Sequence, residues 1–61
     1  MRDINQARIK QVMWYLNRYN TINEHKSFNA FCALDFARRA NVENMISEDV
    51  KRAAQEHKAN D

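Results

Sequence analysis

The chain contains neither glycine nor proline. Tight turns between strands draw on glycine for positive φ and on proline for a preset φ, so the pattern points to helices joined by short links. Asparagine supplies the punctuation, being the next residue best able to take the left-handed backbone at a helix end. Asn20, Asn23, Asn41 and Asn44 mark two breaks and divide the chain into three stretches. No repeat, low-complexity run or linker composition interrupts it, and residues 1–61 read as one domain.

At about 100° per residue, Ile9, Val12, Met13, Leu16 and Tyr19 fall in one arc of about 120°, which predicts a first helix over residues 3–20 with that stripe inward. Thr21 and Glu24 have capping-box spacing and Ser27 offers another N-cap. The second helix therefore starts between residues 22 and 28 and runs to Ala40. Its apolar residues Phe28, Phe31, Cys32, Leu34 and Phe36, with Ala30, Ala33, Ala37 and Ala40, go nearly all round, so it is expected to be enclosed by its neighbours. A link over residues 41–46 has room for one helical turn. Ser47 then caps a third helix over residues 47–58, with Glu48 and Asp49 on the first turn where the helix dipole favours negative charge. Ile46, Val50, Ala53, Ala54 and His57 share its inner face, and His57 is expected to meet the last carbonyls. Glu48 with Arg52, and Arg52 with Glu56, are pairs of i,i+4 spacing on the outer face. The expected fold class is all-α, a small three-helix unit.

Size sets the next constraint. A domain of 61 residues buries only about 60% of its unfolded surface, and chains this short usually need a disulfide, a metal or a second subunit. Cys32 is the single cysteine, so no disulfide forms within the chain, and a lone thiol fits a reducing compartment. Cys32, His25 and His57 make no zinc spacing, and no metal or other cofactor is expected. Homo-oligomerisation is the expected remedy. Starting at Met1, the chain reads as a complete small product. Its polar start is unlike a signal peptide, and no apolar run reaches the roughly 18 residues of a membrane span. A cytoplasmic setting is expected. Ten basic against eight acidic side chains, a formal charge of +2, leave the partner open.

No catalytic group emerges. Cys32 has no histidine at helical spacing, Asp35 has Arg38 and Arg39 at i+3 and i+4 for ion pairing, and so short a chain cannot wall off a small-molecule substrate. The expectation is a protein that binds another macromolecule. Trp14 lies about 160° from the inward stripe, with Lys10 and Arg18 one turn to either side. A large aromatic between long cations is a common interface anchor, so Lys10, Trp14 and Arg18, with Tyr15 beside them, form a candidate protein interface. The competing placement wraps the other helices further round the first and makes Trp14 ordinary core.

Residues Phe36 to Val42 followed by Ser47 to Lys58 resemble the helix-turn-helix of bacterial repressors. Ala37 matches the small residue where the helices touch, Asn41 the left-handed turn position, and Val42 and Val50 the apolar positions after it. The resemblance implies DNA contacts from Lys51, Arg52, Gln55 and Lys58. It departs at Ser47, where an aliphatic residue normally locks the second helix, and at Glu48 and Asp49, which oppose phosphate. As a whole, with a short polar start after Met1, about sixty residues, and a helical plan rich in Asn, Lys and Arg, the chain looks like the small early-region proteins of lambda-like phages. That resemblance implies an accessory regulator in a bacterial host, acting on a host or phage protein.

Overall fold

The computed structural model describes residues 4–59. Three α-helices follow in order, α1 Ile4–Thr21, α2 Lys26–Arg39 and α3 Glu48–Ala59, with a 3-10 turn at Glu43–Met45 in the second link. The described residues contain no strand. None of these helices is long and apolar enough to cross a membrane. The expected first helical residue, Asp3, lies outside the described residues.

Both outer helices run antiparallel to α2. Arg8, early in α1, donates from Nη1 to the carbonyl of Arg39 at the end of α2, 3.2 Å away. A cation there also meets the negative end of the helix dipole. At the other end, Lys26 Nζ donates to the Tyr19 carbonyl and sits 4.5 Å from the Tyr19 ring centre. On the opposite flank, α3 returns far enough for His57 to reach Phe28 and Phe31. Helices α1 and α3 each pack on α2, but no Cα of one comes within 8 Å of the other.

What lets α2 hold two neighbours is alanine. Ala30, Ala33 and Ala37 have no exposed surface, and around them gather Val12 of α1, Leu34 of α2, and Ile46, Val50 and Ala54 from the α3 side. Small side chains in the middle let both outer helices approach closely. The side of α2 away from that stripe is not enclosed, contrary to expectation: Phe28 is 46% exposed and Phe31 38% exposed. Three helices supply neighbours for one side of α2 only.

The links follow local chemistry closely at one end and poorly at the other. Asn41 has φ 59°. Its N–H donates to the Arg38 carbonyl at 3.1 Å, and the Val42 N–H donates to the Ala37 carbonyl at 2.8 Å. This is a Schellman closure, with asparagine at the position glycine usually fills. Ser47 caps α3 as expected, its Oγ accepting from the Val50 N–H at 3.4 Å. Neither expected cap starts α2, however. Thr21 is the last residue of α1 and donates its hydroxyl back to the Asn17 carbonyl at 2.8 Å, while Ser27 already lies inside α2. His25 takes the cap position with φ 57° and no side-chain cap bond.

The inward face of α1 is rotated from the expected one. Val12 is fully buried, and Leu16 and Tyr19 pack against the core with Tyr15, whereas Met13 is 58% exposed. The shift amounts to roughly 40° about the helix axis. It arises because α2 lies against the Tyr15 side, and among the described residues Met13 stays largely exposed.

Candidate functional site

Because Val12 faces α2, Trp14, two residues on, is carried roughly 160° away from it. Its indole is 51% exposed. Arg18, one turn later, holds its guanidinium carbon 4.7 Å from the indole centre, within cation–π range. Tyr15 meets the same ring at 4.8 Å and 84°, edge to face. Lys10 is exposed and shares a shallow groove with Gln11, Trp14 and Tyr15.

Tyr15 is only partly a surface residue. Its ring stacks on Phe36 at 5.9 Å and 16°, and its hydroxyl interacts electrostatically with the Cys32 thiol. Tyr15 thus forms the floor between Trp14 and α2, fixing the indole's position without standing out as an anchor.

A second groove joins Trp14, Tyr15 and Arg18 of α1 to His25, Phe28 and Asn29 at the start of α2. Phe28 leads on to Phe31 through His57, whose ring centre lies 5.7 Å from the first and 5.1 Å from the second. His57 therefore packs on aromatic rings, whereas the helix-end carbonyls were the expectation. Beyond Phe31 the surface continues through Leu34, Asp35, Arg38 and Lys58. The result is an aromatic ridge of Trp14, Phe28 and Phe31 crossing from α1 over α2 towards α3.

Phe28, Phe31 and His57 were not among the sequence candidates for this surface. A signal was available: Asp35, Arg38 and Arg39 fall with the two phenylalanines in one arc of about 100° on the α2 wheel, and three charges on one face mark solvent.

The charges are arranged unevenly. Asp35 accepts from Arg39 Nε at 3.0 Å, while Arg38, the other expected partner, reaches Glu43 at 3.2 Å. Lys51 Nζ lies 4.0 Å from Glu43 and 3.9 Å from Glu48, so Glu48 meets Lys51 and not the expected Arg52. Glu43, Glu48 and Asp49 thus gather at the link between α2 and α3, far from Trp14 and Phe28. Burial pushes the Cys32 thiol above its ordinary 9.0, and nearby Asp35 adds to the rise against the lowering effect of the Tyr15 hydroxyl. Burial and the neighbouring Cys32 likewise raise the Tyr15 hydroxyl above 10.0, with Arg18 acting against them. A thiol held in its protonated form is a weak nucleophile. No three metal-ligating side chains converge among the described residues.

The four residues implied by the helix-turn-helix resemblance separate. Arg52, Gln55 and Lys58 are exposed, but Lys51 is half-buried and engaged by Glu43 and Glu48. Residues 40–47 separate α2 from α3, against roughly 3–4 residues in a helix-turn-helix, and α3 runs back along α2 where that motif has helices crossing at about 90–120°. Gln55 and Lys58 instead border the aromatic ridge beside Phe31. Comparison with protein-family models, curated proteins and solved structures returns no match.

Proposed function

We propose that this chain is a non-catalytic interaction protein that docks a protein partner on the ridge formed by Trp14, Phe28 and Phe31. One observation carries the reading: three large aromatic side chains, each more than a third exposed, lie in sequence across two helices, Trp14 and Phe28 lining one groove and Phe28 and Phe31 joined through His57. Contiguous aromatic surface with a polar rim is characteristic of a binding site, whereas scattered exposed apolar residues are ordinary. Lys10 and Arg18 form part of that rim, and Tyr15 holds its floor. The occupant is a foreign protein or a second copy of the chain, and an accessory regulatory role of the kind suggested by small phage early proteins is compatible with either.

The test is photo-crosslinking in cells, with a crosslinking side chain in place of exposed Gln11, beside Trp14, and in place of exposed Glu56 as control. Protein adducts are expected from position 11, absent at position 56, and lost when Trp14→Ala and Phe31→Ala are added in a variant whose helicity is unchanged. Equal labelling at both positions, or none at 11, overturns the proposal. The DNA-binding alternative keeps the left-handed Asn41 and the buried Ala37 and Val50 as supporting features. It requires salt-dependent duplex binding that a Lys51→Glu/Arg52→Glu variant loses.

A further inference from the structure

We infer that the occupant of the aromatic ridge is an acidic amphipathic helix of another protein, with apolar anchors against Trp14, Phe28 and Phe31 and carboxylates against Lys10, Arg18 and Lys58. The inference rests on the docking reading above and adds to it the partner's chemistry.

Charge complementarity selects the class. Each groove along the ridge is bordered by a cation: Lys10 in the first, Arg18 in the second, Arg38 and Lys58 beyond Phe31. Among the described residues, the one carboxylate bordering these grooves, Asp35, is already held by Arg39. Lys10, Arg18 and Lys58 have no carboxylate within 4.0 Å among the described residues. Among the described acids, Glu43 and Glu48 are committed to Arg38 and Lys51. A net charge of only +2 thus conceals a basic rim around an apolar ridge. Arg18 remains a competent donor in its place over Trp14, because a guanidinium lying against a ring keeps its N–H groups at its edge. Phe28 and Phe31 are one helical turn apart, a spacing that suits the i, i+3/i+4 anchors of a docked helix.

Two other occupants fit less well. In a symmetric dimer the patch would face itself, setting one basic rim against another with only Asp35 to offset them among the described residues. A single-stranded nucleic acid stacks its bases on open ring faces, but Arg18 lies over Trp14, and His57 packs against both phenylalanines.

The experiment uses two designed helical peptides with identical leucine faces, one flanked by glutamates and one by lysines, titrated into the full chain while Trp14 emission is read. The glutamate peptide is expected to shift the emission to the blue and to bind about tenfold or more tightly than the lysine peptide at low salt, with the preference shrinking as salt screens it. Lys10→Glu/Lys58→Glu, both exposed positions, is expected to keep helicity and reverse the preference. Equal affinity for both peptides overturns the inference and leaves the docking reading intact. So does a dimer with shielded Trp14 in sedimentation, which names the second copy, whereas tighter binding of oligo-dT names nucleic acid and overturns both the inference and the protein-docking reading. If neither peptide binds, the inference falls. The docking reading is then decided by crosslinking at position 11, which does not depend on the partner's charge.

Discussion

His25 and Asn41 hold nearly the same left-handed backbone, φ 57° and 59°, on residues of different aptitude for it. Asparagine tolerates that region because its short polar side chain can bond locally, whereas other residues with a Cβ meet a cost of about 1–2 kcal/mol. Asn41→Val is therefore expected to lower the unfolding free energy by about 1–2 kcal/mol. His25→Gly should raise it by roughly 0.5–1 kcal/mol, the relief of strain exceeding the extra freedom of the unfolded chain. Urea unfolding followed by circular dichroism measures both. A second residue-scale effect comes from Cys32 and Tyr15, both raised in the folded state. Each group holds its proton more firmly when folded, so its contribution to stability is complete below its ordinary value and fades as pH rises towards the folded one. Urea midpoints should thus fall as pH climbs above 9.0, the ordinary thiol value, and fall less steeply in Cys32→Ala. A midpoint that is flat, or that rises, contradicts this assignment. The same shift predicts that Cys32 reacts with thiol reagents more slowly at neutral pH than a free cysteine does.

At the scale of elements, α3 is specified by its own residues. Ser47 caps it, Glu48 and Asp49 occupy its first turn, and Ile46, Val50 and Ala54 are buried. Ser47→Ala should cost about 0.5–1 kcal/mol, the lower part of the usual range because the bond to the Val50 N–H is long. For α2 the contribution is collective. Ala33 and Ala37 leave no room around them, so Ala37→Leu is expected to cost roughly 1–3 kcal/mol by forcing the neighbouring helices apart. Thermal unfolding reports both variants, and a neutral Ala37→Leu would contradict close packing at the stripe. α1 is the least specified helix. Its wheel admits several inward arcs, and contact with α2 selects the one that includes Tyr15 and leaves out Met13.

The whole molecule is built on a small core. Val12 is its largest fully buried side chain, and alanines contribute much of the rest. Alanine burial removes little apolar area per residue, so the isolated chain should have low unfolding free energy for its length. A bound partner adds to that by mass action, about 2.7 kcal/mol when present at a hundredfold excess over its dissociation constant. The urea midpoint is accordingly expected to rise with saturating glutamate peptide and to stay fixed in a Trp14→Ala/Phe31→Ala variant. With half its surface exposed, Trp14 should lend little to the stability of the free chain, so Trp14→Ala is predicted to weaken docking far more than folding.

The absence of glycine and proline determined the all-helical plan, and Asn41, Ser47 and the stripe from Ile46 to His57 determined where the last helix begins and which way it faces. Those are local matters, settled by backbone conformation, hydrogen bonds within a few residues, and the helical repeat. The start of α2 and the inward arc of α1 were decided only in three dimensions, as was the exposure of Phe28 and Phe31. A wheel records which side chains share a face but not how many neighbours are available to cover it. With two helices packed over its alanine stripe, α2 has none left for its phenylalanines, and they join Trp14 at the surface.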